Sequence, residues 1–175
     1  MGHKTENKRV GRKLRNLHVS AGILFLLCML SWSFAAQASE YPLESVSFLK
    51  AKEVKALNKL PAKTTHEAGK ALAEPKARKK AAKKISLSKT RLNDLARLFD
   101  LLRIKGLGPR MALLFSATKI WTCEELAKQD AEALAKQLME VNSKEGIANK
   151  VPDAAMLKDW IAQAGALPRQ YVSAR

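Results

Sequence analysis

Six consecutive residues, Lys105-Gly106-Leu107-Gly108-Pro109-Arg110, have the types and spacing that bind an anion. Gly106 and Gly108 permit positive φ and close backbone approach. Pro109 fixes φ near the helical value and lacks the N–H that a first-turn residue leaves unpaired, so it marks a helix start. A helix beginning there points free N–H groups at solvent, and those groups with the helix dipole attract phosphate. Lys105 and Arg110 add positive charge on either side. A plain C-cap followed by a new helix uses the same residues, and a lone Gly-x-Gly does not separate the two.

Catalytic chemistry has less to work with. His66 is the one histidine beyond the N-terminal segment, and it sits inside a helix-capping pattern that places it at the surface. No Cys/His set has metal-ligand spacing. Glu124, Glu125, Asp130 and Glu132 fall at helix starts, where negative charge is favoured. Cys123 falls in a helix's first turn, which favours a thiolate, but without a histidine partner it reads as a small buried residue, or at most a disulfide to another molecule. The expectation is therefore a non-catalytic protein with no cofactor and no metal; distant carboxylates that converge would make a metal-dependent nuclease the rival.

Charge says more. The 175-residue chain carries a net +16. Residues 50–110 hold 18 Lys/Arg against 5 Asp/Glu, whereas residues 111–175 hold 8 of each. So lopsided a distribution points to a polyanionic partner. Its densest part is Lys76-Ala77-Arg78-Lys79-Lys80-Ala81-Ala82-Lys83-Lys84, which on a helix puts alanine on one side and cations over most of the rest. Lys76, Arg78, Lys79, Lys80, Lys83 and Lys84 thus join Lys105, Gly106, Leu107, Gly108 and Arg110 as the expected DNA- or phosphate-binding residues.

These residues must be positioned by helices. Residues 42–58 carry Val46, Leu49, Val54 and Leu57 at helical spacing, and Pro61 stops the run. Thr64-Thr65-His66-Glu67 is a capping box opening a short helix to about Ala73, and Pro75 starts the basic helix. Ser88 caps residues 89–103, with Leu92, Leu95, Phe99 and Leu102 on the buried face and Leu98 and Leu101 widening it. Beyond the glycines, Met111, Leu114 and Phe115 form a short apolar side. Thr122-Cys123-Glu124-Glu125 is a second capping box, and Leu126 is its first large buried residue. Asp130 caps a helix with Leu134, Leu138 and Val141 that ends near Gly146. Pro152 begins a last one with Met156, Trp160 and Ile161; Gly165 ends it and Pro168 leads into a frayed tail. Trp121 and Trp160, with apolar neighbours, belong to the core rather than to a stacking surface. No segment alternates with period two, so the fold is all-α, a compact array of short helices.

A faint internal repeat aligns Thr64 with Thr122, a shift of 58 residues. It sets residues 48–50 (Phe-Leu-Lys) against the Gly106–Gly108 turn, so only the second unit keeps the glycines.

The segment Ile104-Lys105-Gly106-Leu107-Gly108-Pro109-Arg110-Met111-Ala112-Leu113-Leu114 resembles a helix-hairpin-helix element. Three further stretches resemble the bacterial domain of unknown function 4332, which contains paired elements of this type. They are Glu74-Pro75-Lys76-Ala77-Arg78-Lys79-Lys80 leading to Leu98-Phe99-Asp100-Leu101-Leu102-Arg103-Ile104; Thr122-Cys123-Glu124-Glu125-Leu126-Ala127 followed by Glu140-Val141-Asn142; and Val151-Pro152 through Asp159-Trp160-Ile161-Ala162-Gln163-Ala164. The resemblance covers residues 62–169 and implies one intact and one degenerate helix-hairpin-helix element. Such elements as a class imply sequence-independent DNA contact. Here Gly106 and Gly108 would shape the turn, the Gly108 and Arg110 amides would face phosphate, and Lys105 and Arg110 would add charge. Contacts of that kind position without reading bases.

The N-terminus has a separate task. Lys4, Lys8, Arg9, Arg12, Lys13 and Arg15 precede an uncharged run over residues 19–38 that closes on Ala36-Gln37-Ala38. Residues 1–38 read as an export signal cut between Ala38 and Ser39, with an uncleaved signal anchor as the rival. Leu27 is too bulky for Cys28 to be a lipid-attachment cysteine. The organisation expected is residues 1–38 signal, 39–61 an N-terminal helix and degenerate first unit, 62–169 the helix-hairpin-helix-type domain, and 170–175 a tail. The protein then acts outside the cytoplasm, periplasmic or secreted, or anchored to the membrane. Its expected partner is DNA or another polyanion; the second reading is a protein-interaction or envelope-structure module facing anionic lipid or cell-wall polymer. A layout of export signal plus small helix-hairpin-helix module resembles the extracytoplasmic receptors of natural DNA uptake.

Overall fold

The strongest apolar stripe of the sequence becomes helix α4 (Lys89–Leu101), which buries Leu92, Leu95, Ala96, Leu98, Phe99 and Leu101 and packs on three neighbours. The structure, a computed structural model, describes residues 39–173, all within one compact unit, Gln37–Arg175. The export-signal reading of residues 1–38, with Cys28, lies outside the described residues. In chain order the other helices are α1 (Ala51–Leu57), α2 (Thr65–Ala71), α3 (Pro75–Lys84), α5 (Pro109–Ala117), α6 (Cys123–Leu126), α7 (Ala131–Glu145) and α8 (Ala154–Ala166). No β-strand occurs among the described residues; the fold is all-α. None of the described helices is long and apolar enough to cross a membrane.

The polar residues at the helix starts do what local chemistry requires. Thr64 Oγ1 accepts from the Glu67 amide at 3.3 Å while Glu67 Oε2 accepts from the Thr64 amide at 3.2 Å, a complete capping box. Ser88, Thr122 and Asp130 accept from the amides of Arg91, Glu125 and Ala133. Gly146 ends α7 in the left-handed region, at φ 61°.

Three stretches depart from the sequence reading. The helix expected over residues 42–58 is two pieces, a 3-10 turn at Leu43–Ser45 and α1, with Val46 and Lys50 in extended backbone. The reason is pairing elsewhere: Leu43 donates to the Lys63 carbonyl and Thr65 to the Tyr41 carbonyl, which pulls this segment alongside the start of α2. At the last helix the cap is Asp153, accepting from the Met156 amide at 2.8 Å, rather than Pro152, and α8 runs through Gly165 to Ala166. The stretch from Pro168 to Val172, expected to fray, is tied down instead. Tyr171 Oη donates to Asn93 Oδ1 at 2.9 Å, the Val172 amide donates to the Ala73 carbonyl at 3.1 Å, and Arg103 Nη2 donates to the Pro168 carbonyl at 2.8 Å.

One hydrophobic core runs through the described residues, from Leu43 and Leu57 through Leu72, Phe99, Ile104 and Phe115 to Leu157 and Trp160. Within it lies a buried ion pair, Asp100–Arg103 at 2.8 Å. Asp100 also accepts from the Cys123 amide, and Cys123 Sγ donates to the Asp100 carbonyl at 2.9 Å. Burial and the Asp100 carboxylate push the Cys123 thiol well above its ordinary range. Cys123 is therefore the small buried residue expected, its thiol occupied by the Asp100 carbonyl.

Candidate anion-binding turn and basic helix

The turn between α4 and α5 is built from both ends. Leu102 and Ile104 anchor it in the core, and Gly106 takes φ +84°, a conformation only glycine adopts without strain. The Leu107 amide closes the turn on the Ile104 carbonyl at 3.2 Å, and the Leu107 side chain is fully buried. The Lys105 amide goes to Gln163 Oε1 at 2.9 Å and the Gly106 amide to Ser39 Oγ at 3.4 Å. Pro109 has no amide proton. The donors left are the amides of Gly108, Arg110 and Met111, which make no hydrogen bond among the described residues, as the first turn of a helix dictates. Lys105 and Arg110 are exposed beside them.

The expected set is corrected at two positions. Leu107 contacts no ligand: its side chain fills the core and its amide is already paired. Arg78 does not face a polyanion either. It is 2% exposed, and its guanidinium donates to the carbonyls of Leu72, Ala73 and Val172 at 2.8, 2.6 and 2.5 Å and lies 4.8 Å from the centre of the Tyr171 ring. Arg78 falls on the Ala81–Ile85 side of α3, the buried one, which its spacing of three to Ala81 indicates. The remaining cations of α3, Lys76, Lys79, Lys80, Lys83 and Lys84, are exposed and form no ion pair among the described residues. Lysine suits this open face; the planar guanidinium suits the buried one.

Basic helix and turn flank α4 in the chain. α3 leads into the start of α4, and the turn follows its end, thirteen residues later, about 20 Å at 1.5 Å per residue.

The 58-residue repeat is real in hydrogen bonds. Leu49 donates to the Val46 carbonyl at 3.0 Å as Leu107 does to Ile104, and the helix caps Lys50 and Gly108 correspond. Glu67 Oε2 accepts from the Lys63 amide as Glu125 Oε2 does from Trp121, both at 2.6 Å. The two turns differ in what fills them. Phe48, at the place of Gly106, keeps negative φ and sets its ring 6.1 Å from that of Phe99. Glu53, at the place of Met111, turns its carboxylate back: Oε2 accepts from the Lys50 amide at 2.8 Å and Oε1 pairs with Arg91 Nε at 2.7 Å. The Arg91 hydrogen bond, with help from the Lys50 amide, holds the Glu53 carboxyl below its ordinary value of 4.5. In the first unit the chain supplies its own anion.

The second turn opens instead onto a groove of about 360 Å³ between residues 106–111 and residues 148–160. Arg110 and Lys150 line it and no carboxylate does; Arg110 Nη1 reaches Asn149 Oδ1 at 3.5 Å. Sequence reasoning missed Lys150, Met156 and Trp160 as neighbours of the turn, because about 40 or more residues separate them from it. Trp160 is buried as expected, whereas Trp121 is half-buried with Arg97 stacked 4.9 Å from its ring centre. Among the described residues no three His, Cys, Asp or Glu side chains converge as metal ligands do.

The fold and its turn define an all-α protein with two related units, one of them closed on itself. Residues 48–167 match the domain of unknown function DUF4332, and the chain belongs to that family. The match begins ahead of the resemblance read from sequence and takes in α1. No curated protein and no solved structure matches the chain.

Proposed function

We propose that this is an exported, non-catalytic helix-hairpin-helix protein that binds DNA or another polyanion without sequence specificity. The observation that carries the reading is the open first turn of α5: three unpaired amides between two exposed cations, on a groove lined by positive charge and no carboxylate. Phosphate oxygens satisfy those amides and those cations together. The five exposed lysines of α3 add long-range attraction. A duplex touching both ends of α4 would be engaged over about six base pairs, at 3.4 Å per pair. In this reading residues 1–38 direct export, and the protein works in the periplasm or beyond.

The test is a gel shift of the purified protein with random-sequence duplex across a salt series. Expected is binding at low salt that weakens steeply, with log K falling by about 0.9 per log salt for every phosphate contacted. Absence of binding at low salt refutes the reading. A second reading, an envelope module, is favoured by the α3 lysines alone, which carry no backbone cradle. Equal competition by heparin, anionic vesicles and DNA would select it. N-terminal sequencing of exported protein should give Ser39; Met1 would leave the anchor.

A further inference from the structure

The groove beside the turn holds more than a phosphate clamp requires. One wall is the first turn of α5, with its free amides, and the Arg110 and Lys150 side chains close that end. The other wall is apolar, made by Ala148, Val151, Pro152 and Met156, and the Met111 side chain faces the same groove from the first. Met156 is 41% exposed, one of two large apolar side chains so exposed among the described residues.

Trp160 supplies the independent observation. It is 5% exposed, and its ring meets Phe115 edge-on at 6.1 Å and 74°. Its Nε1–H makes no hydrogen bond among the described residues. The ring is buried, but the N–H itself meets solvent through the groove, where its acceptor has to come from water or a ligand. This one looks across at Gly106, 3.6 Å from where a Cβ there would lie, so both the donor and the missing side chain open on the groove. An unpaired donor at the floor, free amides and cations on one side and soft apolar surface on the other call for one kind of ligand. It carries an anionic oxygen group at one end and a flat body with acceptor atoms at the other.

We infer that the groove binds a phosphomonoester of nucleotide size, its phosphate on the Gly108, Arg110 and Met111 amides and its base between Met111 and Met156, accepting from Trp160 Nε1–H. The volume lies at the small end of small-molecule sites, about 300 to 1,000 Å³, which suits one nucleotide rather than a length of strand. The inference rests on the phosphate reading of the turn and adds to it a preference for a nucleotide with a terminal phosphate. That phosphate can belong to a free mononucleotide or to the end of a strand.

The test is calorimetric titration of the purified protein, processed at Ala38 or not, with adenosine 5′-monophosphate, adenosine and inorganic phosphate. The monophosphate is expected to bind at least tenfold more tightly than phosphate, and adenosine weakly. Trp160→Phe keeps the ring packing and removes the donor; it should weaken the monophosphate about fivefold, the order of one hydrogen bond, and leave phosphate unchanged. Met156→Ala, which removes apolar surface and adds no charge to the groove, should weaken the monophosphate at least fivefold and leave inorganic phosphate unchanged, so the test survives if Trp160→Phe does not fold. A 5′-phosphorylated strand that competes where its 5′-hydroxyl counterpart does not identifies the strand end as source; competition by neither identifies the free nucleotide. Equal affinity for monophosphate and phosphate overturns the inference, as does a Met156→Ala protein that binds the monophosphate normally. Duplex binding without monophosphate binding sinks this inference alone, and loss of both sinks the phosphate reading beneath it.

Discussion

Gly108→Asp separates binding from folding at the turn. Gly108 has φ −85° and ψ 170°, extended backbone open to any residue, and a Cβ built there meets only Tyr41 Oη, at 3.9 Å. An aspartate fits without strain and caps α5, accepting from the amides that are free in the natural protein. Aspartate in place of glycine at a helix cap stabilises by a few tenths of a kcal/mol, and its charge at the helix start adds about 0.3–1 kcal/mol. Stability should therefore hold or rise slightly. Binding should fall. A carboxylate about 4 Å from a phosphate repels it by about 1 kcal/mol at the dielectric of water and about 4 kcal/mol at that of a protein surface, a loss of roughly fivefold to a thousandfold. The salt slope should shrink by about 0.9 for each phosphate the protein ceases to neutralise. Gly106→Asp is the poorer probe, because φ +84° there strains any other residue by about 1–2 kcal/mol. Gel shifts across a salt series beside a thermal melt make the measurement. A Gly108→Asp protein with wild-type affinity and slope would refute the claim that these amides hold phosphate.

Replacing Lys76, Lys79, Lys80, Lys83 and Lys84 by glutamine should leave the melting temperature within a few degrees, since none is ion-paired among the described residues, and flatten the salt dependence of duplex binding. Arg78→Ala should do the reverse: about 3 kcal/mol of stability lost as three carbonyls lose their donor, read by denaturant unfolding, with the salt slope unchanged. The Glu53 carboxyl is held below 4.5 in the folded protein, so its contribution is present above its unfolded value and is lost as pH falls through the folded one. Melting temperatures from about pH 6 to about pH 3 should drop for the natural protein. Glu53→Gln should be less stable at the upper end of that range and lose less on acidification; parallel curves would refute the assignment.

Features that depend on three or four consecutive residues were legible. The caps at Thr64, Ser88, Thr122 and Asp130 each need one side-chain oxygen and one amide three residues on, and all four formed. The open turn was legible for the same reason, since its donors follow from Pro109 and the first turn of one helix. Arg78 was not: of its partners Val172 lies 94 residues away, and only its place on the alanine stripe hints that it turns inward. The break at residues 46–50 was hidden because Val46 and Leu49 keep helical spacing while the pairing that pulls them straight comes from residues 63–65. Glu53 could have been found by extending the 58-residue alignment, which sets an acid where the second unit has Met111. The groove could not, because the loop before α8 bears no local mark of where it lands.

The bond from Arg78 to the Val172 carbonyl also sets an order of events as the chain is made. A polypeptide emerges N-terminus first, so the guanidinium appears 94 residues before its last acceptor. Until then α3 can close on two of three carbonyls only, and Tyr171, which roofs the cation and ties to Asn93, is also still to come. Contacts this distant in sequence form late, after the loop between them has closed. Tyr171 and Val172 thus act as a latch on the N-terminal half, and a chain that stops short of them leaves the Arg78 guanidinium one carbonyl and one ring short of its native setting.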